Sequence, residues 1–293
     1  MPTIRKFYFE NAAGERFPLQ GERGVYLTAP EGLGYELAPP FADLGRGFFS
    51  PLDEIAEPQG SVAGELTFVP PAYANYRTLM DWLAASGSLL LIYCPYGDAE
   101  FQKRVSVEYV NKGELDKVRL LHCPFSLFSR SPWRRPVPTE ISMDAEETGG
   151  YTPRYPGRYS GRYGKDAQGS MSARVAAAGH IPGGLLLRVY GGITDPEIRL
   201  TGLTTGTVYG ICRITGASVG TSEVLELSTL WEDSYVRKIA ADGQETDLLP
   251  FLDISQEPFV HAPTDEASSL TVQSDSPFSG SAELLVYAYY RTV

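Results

Sequence analysis

At 293 residues the chain is long enough for two domains of roughly 150 residues each, and its 43% hydrophobic content gives both a core without disulfides or metals. Abundant Gly (30), Pro (22) and Tyr (18) suit many turns joining short, half-buried strands, so the expectation is a mainly β fold. The net charge is −11, split as 14 basic and 17 acidic side chains to residue 140 and 11 and 19 beyond it, which argues against a nucleic-acid-binding protein.

Residues 4 to 9, Ile-Arg-Lys-Phe-Tyr-Phe, read as a strand, and Asn11-Ala-Ala-Gly-Glu15 as the turn into a second strand from Arg16. Val25–Leu27 is another strand, and Glu31–Glu36 and Gly45–Gly47 are loops or bulged strand ends. Ser61–Val69 alternates apolar and polar residues, as a strand does. Pro70-Pro71 then opens a helix over about 72–86. Tyr73, Tyr76, Leu79, Met80 and Leu83 recur at helical spacing, and Gly87 stops it. Leu89–Tyr93 reads as a buried strand. Phe101–Val110 and Asp116–Phe128 read as a hairpin with its turn at Asn111-Lys-Gly113. Arg130-Ser-Pro-Trp-Arg-Arg135 is the densest basic cluster, and its plain reading is a solvated linker.

Pro and Gly crowd residues 129 to 165 and mark a boundary. The domains expected are therefore 1–135, a connector at 136–164 and a second domain at 165–293. Tyr151, Tyr155, Tyr159 and Tyr163 recur every four residues in the connector, but Pro153 and Pro156 forbid a helix there. Turn signals about every ten residues beyond 165 predict a β-sandwich. Its strands are expected at 170–177, 185–190, 197–201, 207–214, 224–228, 235–240, 269–273 and 282–290.

Motifs for chemistry are missing. Three cysteines (94, 123, 212) make no disulfide framework, and His122, His180 and His261 are scattered outside any metal-ligand spacing. His122 and Cys123 are adjacent on a strand, so they face opposite ways. No nucleophile elbow or phosphate loop occurs. The acidic neighbours Asp195 and Glu197, Glu223 and Glu226, and Glu232 and Asp233 are the remaining catalytic option, against which stands an ordinary acidic surface. Trp231 and Tyr235 are candidate sugar-stacking residues, against which stands core or interface packing. The expectation is no enzyme, no cofactor and no metal. The opening residues lack a signal-peptide core, and the longest apolar run, Leu89–Cys94, is too short to insert in a membrane, so synthesis in a reducing cytoplasm is expected.

Several segments resemble the distal tail proteins of siphoviruses, whether phage or prophage. They are Phe7–Leu19 followed by Gly32-Leu-Gly34, Tyr155-Pro-Gly-Arg-Tyr-Ser160, Leu187–Leu200 with its glycines and Asp-Pro turn, and the ending Leu270–Asp275 and Glu283–Val293. Phe259–Glu266 departs from the pattern, where a Pro-Gly turn is expected. The resemblance implies an N-terminal split β-barrel with one packed helix and a C-terminal galectin-like β-sandwich. It also implies a hexameric ring at the end of the tail tube, in the virion baseplate. Tail-tube, tail-associated and receptor-binding proteins would be its partners, and a host surface glycan a further one. A carbohydrate-binding β-sandwich module is the alternative reading.

Overall fold

The computed structural model describes residues 5–34, 60–96, 99–129, 131–137, 170–255, 258–275 and 280–293, with the backbone of 42–43, 48–49 and 141–144. Most of the expected connector, including Tyr151, Tyr155, Tyr159 and Tyr163, lies outside these residues, as do the expected loop positions 35–36 and 45–47. The chain divides into two units, residues 1–135 with Tyr290–Val293, and residues 136–289. Its sheets are antiparallel, and it is mainly β with one α-helix among the described residues.

The first unit contains β1 (Lys6–Asn11), β2 (Arg16–Pro18), β3 (Val25–Glu31), β4 (Ala42–Asp43), β5 (Phe48–Phe49), β6 (Gly60–Phe68), α1 (Ala72–Ala85), β7 (Leu89–Cys94), β8 (Phe101–Val110), β9 (Leu121–Ser129) and β10 (Trp133–Pro136). Alternation places Phe7 and Phe9 of β1 in the core. The Asn11 side chain accepts from the amides of Ala13 (3.0 Å) and Glu15 (2.9 Å), closing the β1–β2 turn that Gly14 passes at φ +77°. One sheet runs β2-β1-β7-β8 and another β3-β6-β9-β8, because β8 serves both. Its residues 101–105 pair with β7, and 106–110 pair with β9 across a register shift between Val107 and Tyr109.

Helix α1 packs Ala72, Leu79, Tyr76, Met80, Trp82 and Leu83 against the core formed by these strands. Tyr73, expected on that face, is 43% exposed and holds Lys112 over its ring at 4.6 Å. The buried stripe is centred on 72, 76, 79 and 83, and position 73 falls beside it. The expected hairpin turn at 111–113 also differs. β9 begins at Leu121, and the chain reverses at Asp116, whose carboxylate accepts from the amides of Val118 and Leu120 while Arg119 takes φ +65°. The basic cluster is no linker: Trp133 is buried in β10, with Tyr93 at 6.2 Å and Lys103 over its ring at 5.3 Å. Arg130 lies outside the described residues.

The second unit contains β11 (Ile141–Asp144), β12 (Ser170–Val175), β13 (Ile181–Tyr190), β14 (Ile193–Thr194), β15 (Glu197–Gly202), β16 (Val208–Arg213), β17 (Ser218–Val219), β18 (Val224–Leu230), β19 (Asp233–Ile239), β20 (Glu245–Asp247), β21 (Ser268–Gln273) and β22 (Ser281–Tyr290). One sheet runs β11-β22-β13-β18-β19-β20 and the other β12-β21-β15-β16. Leu185, Leu187 and Leu225 of the first share one buried cluster with Met171, Ile198 and Val272 of the second, which makes the pair a β-sandwich. Each of the eight strands expected here is present, with ends shifted by a few residues. The departing segment before β21 forms no hairpin. Ala262 bridges to Gly183 instead, and Glu266 ties the 203–209 loop.

Candidate functional site

Trp231 occupies the turn between β18 and β19. Its indole N–H donates to the Pro182 carbonyl at 3.1 Å, and its ring stacks on His261 at 5.0 Å and 21°. Half of the side chain stays exposed. These two contacts fix the ring and engage its hydrogen-bonding atom, so its exposed surface offers apolar contact alone. Tyr235 is held differently. Its hydroxyl donates to Glu226 at 2.8 Å, and the Arg237 guanidinium covers its ring at 4.4 Å. The two aromatic residues therefore have separate partners.

Glu226 is the centre of a charge ladder on the sandwich's outer face. Strand register sets Glu283, Arg188, Glu226, Arg237 and Asp247 side by side on β22, β13, β18, β19 and β20. Burial alone would raise the Glu226 carboxyl. Hydrogen bonds from Arg188, Tyr235 and Arg237 outweigh it and hold the group below its ordinary range.

The other carboxylates weighed for catalysis are also engaged. Asp195, at φ +45°, accepts from the amides of Gly216 (2.6 Å) and Ala217 (3.2 Å) and so braces a neighbouring loop. Glu197 lies between Arg199 and Arg213, whose hydrogen bonds lower its pKa against the opposing effect of burial. Glu223 accepts from the Gly220 amide and pairs with Lys238. Glu232 accepts from the Tyr289 hydroxyl. Cys94, Cys123 and Cys212 are buried and free, and burial pushes the Cys212 thiol up to about 12. Among the described residues no group of three or more His, Cys, Asp or Glu side chains is placed to hold a metal ion, and no helix is long and apolar enough to cross a membrane.

The first unit carries a different kind of surface. Val107 and Tyr109, on one strand, are 40% and 41% exposed, and Leu115 and Val118 at the end of the same hairpin are 40% and 68% exposed. Alternation alone predicts an inward Val107. The register sets Val107 opposite buried Leu127 and Tyr109 opposite Ser126, so the bulge between them puts these two exposed side chains on opposite faces of the hairpin. The β1–β2 hairpin is polar by contrast. Arg16 pairs there with Glu10 (2.7 Å) and Glu100 (2.9 Å).

Comparisons with known proteins agree with this architecture. Residues 6–129 match the model of the distal tail protein, N-terminal domain. A chain of the phage p2 baseplate, in its activated conformation with Sr, is similar at TM-score 0.62 and 12% identity, with 99% of this chain and 100% of that chain covered. The Dit (gp 19.1) protein of phage SPP1, described as a paradigm of hub adsorption apparatus in phages infecting Gram-positive hosts, is similar at TM-score 0.53 and 11% identity, with 96% and 98% covered. No curated protein matches the chain at a significant level.

Proposed function

We propose that the chain is a distal tail protein, the family whose N-terminal domain matches residues 6–129, and that it closes the end of a phage or prophage tail tube as a ring of six copies. In this reading the first units make the ring and the second units carry baseplate and receptor-binding components. The observation that carries it is the row of exposed apolar side chains along the β8–β9 hairpin, Val107, Tyr109, Leu115 and Val118. Such a row is costly in water and useful against a second copy. Of the two hairpins of the first unit, β1–β2 and β8–β9, the second is favoured because the first presents paired charges. A head-to-tail contact closes into a ring when its rotation is right. The small net charge of the first 140 residues, −3, suits a channel that lets DNA pass without gripping its phosphates.

The role is structural and not enzymatic in this reading. Asp195 and Glu197 support it, since both carboxylates are engaged by loop amides or arginines. Hydrolysis of glycan or peptidoglycan that disappears on changing either residue would refute it. The test of the ring is a structure or cross-linking map of the assembled tail. Cross-links between β8–β9 hairpins and neighbouring copies are expected; contacts confined to the sandwiches, or a lumen lined by Lys and Arg, would end it.

A second reading, carbohydrate binding by the sandwich, draws support from Trp231, whose ring is fixed and half exposed. Glycan-array binding abolished by Trp231→Ala but retained in Tyr235→Phe would favour it. Absence of binding to every glycan would remove it.

A further inference from the structure

We propose that His122 is a proton-operated pin that fastens the 111–120 tip of the β8–β9 hairpin to β6. Three elements meet at this side chain. His122 is the second residue of β9, between buried Leu121 and Cys123, so strand alternation turns its imidazole outward. Nδ1 lies 2.8 Å from Glu65 Oε1 on β6, and Nε2 lies 3.5 Å from Asp116 Oδ2 in the tip. The Thr67 hydroxyl is 3.5 Å from Nδ1 and also reaches the Glu65 carboxylate. The carboxylates therefore bracket the ring from its two nitrogens. This is an arrangement for joining elements by hydrogen bonds to both ring nitrogens.

The protonation states of His122 set the direction of the switch. A neutral imidazole has one N–H and can donate to one carboxylate; its other nitrogen then presents a lone pair to the second. The imidazolium donates to both. The charged residues of the elements around it are Glu65 on β6 and Lys112, Glu114, Asp116, Lys117 and Arg119 in the tip. Of these, Glu65 acts most strongly on His122, and with Asp116 it raises the histidine's pKa against a smaller opposing effect of burial. A raised value means that the pin is closed at lower pH and opens as pH rises through that value.

Asp116 makes the pin more than a surface ion pair. Its Oδ1 accepts from the amides of Val118 (2.9 Å) and Leu120 (2.7 Å), and its carbonyl accepts from the Arg119 amide (3.1 Å). The carboxylate that shapes the tip is thus the one that His122 holds. Opening the pin releases the Asp116 corner of the tip, between Leu115 and Val118, from β6, and leaves the Leu115–Leu121 bridge as the remaining backbone tie there. Any effect on ring formation rests on the function proposed above; the pin does not.

Lys117 and Arg119 lie in the tip and make its opening readable by trypsin. The full chain, dilute enough to be monomeric, is digested from about pH 6 to about pH 8.5. Cleavage after these two residues is followed by mass spectrometry and normalised to other sites in the same digest. We expect relative tip cleavage to rise about threefold or more with pH in the parent chain, and to be high and flat in His122→Gln. Equal profiles in the two chains would overturn the pin. Direct titration of His122 by NMR in the unmutated chain covers the case in which the variant fails to fold. A midpoint above 6.5 supports the pin and one at or below 6.5 overturns it. A chain that never oligomerises but shows the pH-dependent cleavage keeps the pin and loses the ring.

Discussion

Arg188 donates from Nε to Glu226 Oε2 at 2.5 Å across the β13–β18 pair, although Glu226 is wholly buried and faces away from the sandwich core. Arg237 closes over the same carboxylate from β19, with 2.9 Å from Nε and 2.6 Å from Nη2 to Oε1. The outer face of this sheet is thus sealed by its own side chains. It buries a charge that is fully hydrogen-bonded, the condition under which such burial is tolerated.

Glu226→Ala should destabilise the chain by about 2–3 kcal/mol in urea unfolding, below the usual loss for a buried pair because both arginines are part exposed and rehydrate. The depressed carboxyl sets the pH dependence. Its stabilisation is complete above the ordinary value of 4.5 and is lost as pH falls through the folded value. Parent and Glu226→Gln chains should therefore converge in stability under acid. A constant gap down to the lowest pH would contradict the assignment.

Leu79→Ala should cost about 3 kcal/mol, since Leu79 is fully buried and its loss opens a cavity under α1. Tyr73→Ala, on the exposed side, should change stability by about 0.5 kcal/mol or less. Thermal or urea unfolding of the two variants checks which face of the helix packs. Similar losses would mean that the buried stripe has been misplaced.

Glu266 accepts from the Thr204 and Thr205 amides and from the Thr205 and Tyr209 hydroxyls, which lower its pKa to about 2. The depressed value means that the anchor is intact above 4.5 and is lost as pH falls toward about 2. Protection of the amides in residues 203–207, measured against the intrinsic exchange rate at each pH, should fall over that range, and Glu266→Gln should show low protection at neutral pH. Protection unchanged in the variant would show that the loop is held by other contacts.

Much of this fold is legible in the sequence because it depends on local periodicity. Phe7 and Phe9, Leu185 and Leu187, and the 76–79–83 spacing of α1 each declare a buried face by period alone. The hairpin turn differs from expectation for a local reason. Asn111-Lys-Gly113 has turn composition, but Asp116 has the side chain that reaches two later amides. The ladder and the His122 bracket were not legible. Both depend on register, which sets Glu226 between Arg188 and Arg237, and Thr67 opposite His122, across long sequence separations. Trp231 was visible as an aromatic, but the His261 stack that fixes it was not.

The proposed joining of copies through the β8–β9 hairpin is tested most directly by solution mass at high concentration with and without Val107→Asp and Tyr109→Asp. A 32.1 kDa chain that assembles should give a mass several times larger, six times for the closed ring, and the double variant should return to a folded monomer. An assembly unaffected by the double change, or a parent chain that stays monomeric at every concentration and in the presence of the tail tube, would contradict it.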